Sequence, residues 1–243
     1  MTAIPPGSTI GILGSGQLGR MLSVAAAQLG YRCHVYAPET GPACDVASAF
    51  TQGDYDDAAR LTAFANAVDV ITYEFENVDP QCIAHLAPLA PVRPGSMALD
   101  ISRARPNEKN FVRERGGTTA PFREATSLAD LEAAVAEIGV PSILKTSMFG
   151  YDGKGQARLK SPDDATDAWE TVAGQPSILE GFVTFTHEFS IMLVRGIDGD
   201  IVHYPAPHNV HRDGILATST VPAPDAVQAQ VEAAVALAGR LAH

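Results

Sequence analysis

Lys145 ends a short apolar run and is followed within ten residues by Gly150, Gly153 and Gly155. Glycines at that spacing let a chain turn through backbone conformations that side chains forbid, so several N–H groups can face one anion while the lysine adds a full charge. The same residues would also make a β-hairpin with a glycine turn and a surface lysine. A second cluster, Gly14-Ser15-Gly16-Gln17-Leu18-Gly19, follows another apolar run directly. It is a G-x-G-x-x-G, the turn that offers a helix N-terminus to a phosphate. Glu39, twenty residues past Gly19, allows a dinucleotide reading, although the same turn serves any anion. Glu74 and Glu76 close a further apolar run, where open α/β sheets bind ligands, and Asp79-Pro80 suits a helix cap. Arg105 and Lys109 stand four apart and share a helix face, either a solvated one or an anion-binding one. His208 and His211 offer two imidazoles without a third metal ligand in the pattern.

These groups must be held by elements that the hydropathy pattern marks out. Residues 8–13, 32–36, 47–51 and 68–73 read as buried strands, with helices after the first and third. Residues 88–94 read as a last short strand and turn, and a helix begins at Ser96 and restarts around Pro106. Beyond Gly116-Gly117 the pattern changes: an extended segment at 118–123, a helix at 127–138 capped by Ser127, strands at 141–144 and 156–159, a helix at 162–172 and a strand at 177–180. A hairpin turned at 196–199, a strand at 218–221 and an Ala-rich helix over 225–241 complete the chain. We therefore predict an α/β chain with a Rossmann-like parallel-sheet domain over 1–117, a small mixed subdomain over 118–183 and a third portion over 184–243.

The 243 residues suffice for about two domains of ordinary size. No apolar run nears the roughly 20 residues that cross a bilayer, and the N-terminus lacks a basic stretch followed by an apolar one, which predicts no membrane partner and a cytoplasmic setting. Cys33, Cys44 and Cys82 lack disulfide or zinc spacing and read as buried thiols. A net charge of −11 argues against a nucleic-acid partner. An anionic ligand must then be met by local positive groups or by a divalent cation.

Four blocks in order, GILGSGQLGRM at 11–21, TYEFENV at 72–78, KTSMFGYDGKGQ at 145–156, and HEFSIMLVRG with YPAPHNVHRDGIL at 187–216, resemble the N5-carboxyaminoimidazole ribonucleotide synthases. The resemblance implies an ATP-grasp fold preceded by the Rossmann-like domain, and ATP-dependent carboxylation of aminoimidazole ribonucleotide with bicarbonate through carboxyphosphate. It implies that Lys145 and Lys109 bind the ATP phosphates beside Arg105, and that Gly150, Tyr151, Asp152, Gly153, Lys154, Gly155 and Gln156 form the flexible loop covering them. Glu180 with Phe182 and Val183 would meet adenine, and Glu188 the ribose. His208, Asn209 and His211 would lie near the phosphates or bicarbonate, with Lys145, Tyr151, His208 and Asn209 expected in catalysis. Gly16, Gln17 and Leu18 would hold the ribonucleotide near its phosphate, with Glu76 on its ribose and Tyr151 contributing from the loop.

Phe149 stands where that family commonly has a further glycine, and Pro106 is unusual for a helix interior. The family also continues about a hundred residues further, with the acidic magnesium ligands there. We accordingly expect a chain lacking the C-terminal part of its ATP-grasp domain, by truncation, proteolysis or natural splitting, with Mg2+ held elsewhere and activity weak or absent. The family implies a homodimer. The alternatives are a formate-using phosphoribosylglycinamide transformylase, a nucleotide-binding module that needs a partner chain, and a nicotinamide oxidoreductase.

Overall fold

A computed structural model describes residues 3–150, 154–212 and 214–243. The chain forms two compact units, Met1–Arg103 and Ala104–His243.

In the first unit, the apolar run before the glycine turn is strand β1 (Thr9–Leu13), and helix α1 (Gln17–Gln28) leaves it at once. β2 (Arg32–Ala37), β3 (Ala49–Gln52), α2 (Ala58–Ala65) and β4 (Val70–Tyr73) follow. The four strands form a parallel sheet in the order β3-β2-β1-β4. Its central strands are largely apolar because both faces are covered. Leu13, Tyr36 and Ile71 pack with Leu61, Phe64 and Ile83 on one side, while Ile12, Cys33 and Val35 pack with Ala26 and Ala43 on the other. α3 (Pro80–Leu86), capped by Asp79, and α4 (Ser96–Ser102) close the unit. The strand expected over 88–94 is only a single parallel bridge between Ile71 and Val92. Pro88, Pro91 and Pro94 deprive that segment of the N–H groups a ladder requires.

The second unit begins with α5 (Arg105–Glu114), a helix that the sequence pattern had joined to the first domain. Pro106 lies in its first turn, where a backbone N–H has no intrahelical partner, so the helix starts there without being broken. β5 (Phe122–Ala125), α6 (Leu128–Ile138), β6 (Ser142–Thr146), β7 (Gln156–Leu159), α7 (Ala165–Thr171) and β8 (Ser177–Gly181) follow. The strands form an antiparallel sheet in the order β5-β8-β6-β7. The two-residue strand period sends Leu144, Leu159 and Leu179 onto Leu131, Val135 and Ala168 of the helices. The intervening residues Ile143, Lys145, Ile178 and Glu180 then belong to the opposite face.

The remainder comprises β9 (Glu188–Phe189), β10 (Leu193–Arg195), β11 (Ile201–His203), β12 (His208–Arg212), β13 (Ile215–Thr220) and α8 (Asp225–Leu241). β10 and β11 pair as a hairpin, and β13-β12-β9 form a small antiparallel sheet. Arg240 of α8 donates to the carbonyl of Arg115 just past α5, at 2.9 Å.

Candidate functional site

Lys145 does not project into solvent as a hairpin lysine would. Ile143 pairs opposite Glu180, and Lys145 opposite Ile178, so Lys145 and Glu180 are diagonal neighbours on one face of the sheet. The Lys145 Nζ lies 2.9 Å from one carboxylate oxygen of Glu180, and Lys109 Nζ of α5 lies 3.1 Å from the other. Glu180 is buried, with 9% of its side chain exposed, against 17% for Lys109 and 23% for Lys145. Burial alone would raise the Glu180 carboxyl; the hydrogen bond from Lys145 and the charges of both lysines outweigh it, leaving it below its ordinary value. One carboxylate cannot neutralise two ammonium groups. A net positive charge therefore remains on this face, suited to a polyphosphate.

The lysine stands at the base of the glycine loop. β6 and β7 do pair as a hairpin, and the Thr146 N–H closes it on the Gly155 carbonyl at 2.8 Å. Gly155 has φ +66°, and a Cβ there would lie 2.7 Å from Thr146 Oγ1, so this position needs a glycine twice over. Phe149 holds φ +61° with an ordinary side chain, a conformation that glycine adopts at no steric cost. Arg105 does not offer its guanidinium to an open site: Nε donates to the Thr146 carbonyl at 3.1 Å and Nη2 to the Gly150 carbonyl at 3.0 Å. It ties α5 to the loop's near side. Tyr151, Asp152 and Gly153 lie outside the described residues, so the expectations placed on them have no geometry here. Gln156 pairs with Lys145 in the ladder, and Lys154 is exposed on the far side of the loop.

At the end of β8 the Phe182 N–H donates to the Pro141 carbonyl at 3.1 Å, and Phe182 and Val183 are both exposed. Glu188 and His211 approach to 3.1 Å between Oε1 and Nδ1, each 38% exposed. His208 lies beside His187, with ring centroids 5.2 Å apart. Asn209, expected among the reacting groups, is instead buried, donating to Ser190 Oγ at 2.6 Å and accepting from Ser219 Oγ at 2.9 Å. Both ends of its amide are used in joining strands β12 and β13 to the segment after β9.

In the first unit, the G-x-G-x-x-G turn already holds an anion. The Gly16 and Gly19 N–H groups donate to the two carboxylate oxygens of Glu74. Of the three residues expected on a substrate phosphate, Gly16 is thus committed, whereas Gln17 and Leu18 N–H groups have no hydrogen-bond partner among the described residues. Glu76 is exposed, and Asn77 Nδ2 donates to its carboxylate at 3.0 Å. Sequence reasoning placed Glu74 at a ligand edge without a role; the signal that could have found one is an acid ending the strand beside β1. Burial raises the Cys33 thiol and pushes the Cys82 thiol up to about 12, and Cys44 is only half-buried.

Comparison with known proteins gives these arrangements a context. Residues 7–103 match the family described as the ribonucleotide synthetase preATP-grasp domain, and residues 110–243 the ATP-grasp domain. A N5-carboxyaminoimidazole ribonucleotide synthase of Brucella melitensis is 47% identical over 100% of this chain and 67% of its own length. A solved N5-carboxyaminoimidazole synthetase of Staphylococcus aureus complexed with ADP superposes with a TM-score of 0.90, at 32% identity, over 98% of this chain and 63% of that one. That of Aspergillus clavatus with ADP and 5-aminoimidazole ribonucleotide gives 0.85 at 26% identity, over 97% and 62%. The chain thus spans about two thirds of the length of the relatives it matches.

Proposed function

The chain belongs to the N5-carboxyaminoimidazole ribonucleotide synthases of the ATP-grasp family, and from that premise we propose that it carries the nucleotide and ribonucleotide sites of an ATP-dependent carboxylase. In this proposal the amine of aminoimidazole ribonucleotide is carboxylated with bicarbonate, yielding ADP and phosphate in purine biosynthesis. The observation that carries it is the pair of lysines, Lys109 and Lys145, held on one sheet face by Glu180 beside the glycine loop. The Aspergillus relative, solved with ADP and the ribonucleotide together, supports the choice of substrates.

Bicarbonate is a poor electrophile and must be activated, which the family's carboxyphosphate route does by phosphoryl transfer. Such transfer needs positioning and charge neutralisation more than covalent help. We assign Lys109 and Lys145 to the phosphates, with Glu180 fixing both ammonium groups and facing the nucleoside. Gly150, Lys154, Gly155 and Gln156 flank the loop that excludes water from the reacting phosphate. Phe182 and Val183 line the base, and Glu188 meets the ribose. His208 and His211 lie toward bicarbonate. On the first unit, Gln17 and Leu18 receive the ribonucleotide phosphate and Glu76 its ribose. Arg105 positions the loop, and Asn209 braces the strands that carry the two histidines.

Among the described residues no three His, Cys, Asp or Glu side chains converge as a metal ion would require, so we route no step through a protein-held Mg2+. We expect the 243-residue chain to bind nucleotide and to turn over weakly, and we include a homodimer and a cytoplasmic setting in the proposal. No helix among the described residues is long and apolar enough to cross a membrane.

The test is phosphate release from ATP, Mg2+, bicarbonate and aminoimidazole ribonucleotide, with each omitted in turn. We expect release to require all of them and to vanish in Lys145→Ala. Release driven by formate and glycinamide ribonucleotide would move the chain to the formyl-transferring relative, and NADH binding without ATP binding would overturn the proposal.

A further inference from the structure

We propose that Glu74 is the positioning residue for the ribonucleotide site: its carboxylate is a built-in anion that holds the G-x-G-x-x-G turn in shape and thereby presents Gln17 and Leu18. The inference rests on the assignment of Gln17 and Leu18 to the substrate phosphate, and it gives Glu74 a part separate from that of Glu76.

Three observations converge. Both Glu74 oxygens are used, one on the Gly16 N–H and the other on the Gly19 N–H, so the carboxylate spans the start of α1 from its cap to its third residue. All three glycines of the motif leave room for that carboxylate. A Cβ would lie 2.5 Å from Glu74 Cγ at Gly14, 2.8 Å from Oε1 at Gly16 and 3.0 Å from Oε2 at Gly19. Gly14 also needs its φ of +110°. The glycines are therefore accounted for by an internal side chain, where the sequence motif suggests an external phosphate. Finally, the backbone on either side is anchored: Glu74 N–H donates to the Leu13 carbonyl at 3.1 Å, and Gly14 N–H to the Tyr36 carbonyl at 2.9 Å. The carboxylate adds the remaining tie, from the end of β4 to the helix.

The consequence for binding follows from where the donors go. A helix N-terminus has only a few free N–H groups, and a phosphate competing for all of them would leave the turn's orientation to the ligand. With Gly16 and Gly19 taken by Glu74, the Gln17 and Leu18 N–H groups between them are left in one fixed direction. Preorganisation of that kind lowers the ordering cost of binding.

The test uses the full 243-residue chain with Glu74→Gln and, independently, Gly16→Ala, whose methyl would press on Glu74 Oε1. Calorimetry with aminoimidazole ribonucleotide and with ADP is combined with amide NMR of the turn. Glutamine keeps one acceptor but sets an N–H2 against an N–H donor. Loss of one charge-assisted hydrogen bond predicts about tenfold weaker ribonucleotide binding with ADP affinity unchanged. The Gly16 and Gly19 amide protons should move upfield, and Gln17 and Leu18 should lose order on the nanosecond scale. Because both substitutions disturb the same contact, the double variant should be no worse than the more affected single one. Unchanged or tighter ribonucleotide binding in Glu74→Gln, with its amide resonances shifted, would overturn the inference. If the unaltered chain binds no ribonucleotide, the functional proposal fails. The positioning role for that site then falls with it, whereas ribonucleotide binding left unchanged by Glu74→Gln overturns the inference alone.

Discussion

Glu180 carries two lysines on one carboxylate, and its removal should be felt twice. In Glu180→Gln the lysines keep a weak acceptor and gain an opposing N–H2. Because Lys109 and Lys145 remain 17% and 23% exposed, we expect a loss of about 2 kcal/mol, below the range for fully buried pairs. Denaturant titration at neutral pH measures it, and weaker ADP binding should accompany it. The pH dependence has a definite sign. The folded carboxyl lies below its ordinary 4.5, so its contribution is complete above that value and fades as pH falls through the lower folded one. The stability gap between the parent chain and Glu180→Gln should therefore narrow on acidification below 4.5. A gap that widened there would contradict the assignment. The loop gives a matched pair of substitutions. Gly155→Ala meets both a positive φ and Thr146 and should cost about 1–2 kcal/mol in a melt. Phe149→Gly, at φ +61° in a residue 64% exposed, should cost nothing or stabilise by up to about 1 kcal/mol, since relief of the left-handed backbone offsets the added freedom of the unfolded glycine.

The helices α2, α3 and α6 are begun by polar side-chain caps, and apolar faces orient the elements. Ser127 Oγ accepts from the Asp130 N–H at 3.1 Å and starts α6, whose Leu131 and Val135 cover Leu144 and Leu179. Ser127→Ala should cost about 1 kcal/mol, measured as a lower unfolding midpoint with an unchanged denaturant slope. A changed slope would mean that the cap also shapes the unfolded chain. The cap and the apolar period of α6 were legible because both are local. α5 was legible as a helix, but its membership was not. Its Lys109 reaches Glu180 and Phe122, and the Arg115 carbonyl that follows it accepts from Arg240. Those contacts reach beyond the helix itself and leave no local period. The segment 88–94 failed for the converse reason: its hydropathy suits a strand, but prolines remove the donors that would make it one.

The two units have separate cores, and in our proposal they serve separate ligands. Hydrogen exchange should separate them. ADP should protect α5, β6 and β8, whereas the ribonucleotide should protect the turn from β1 into α1 and the end of β4. At a hundredfold excess over the dissociation constant, each ligand should raise the opening free energy of its own unit by about 2.7 kcal/mol. Protection of the first unit by ADP alone would contradict the division of labour.

Much of this division was readable in residue order. Glycines beside a lysine, apolar runs with a period of two or near-continuous burial, and caps before helical stretches report local backbone requirements, which act over a few residues. They were enough to mark the parallel sheet, the glycine turn and the hairpin of Lys145, while the family rested on the resemblance of four whole blocks of sequence. What folding alone decided is who pairs with whom. Glu74 answers the glycine turn from 55 and 58 residues away, Glu180 answers Lys145 from 35 away, and Arg105 and Asn209 reach the Thr146 carbonyl and Ser190. A charge's partner depends on three-dimensional proximity and on how many acceptors remain after burial, and neither quantity is carried by spacing along the chain.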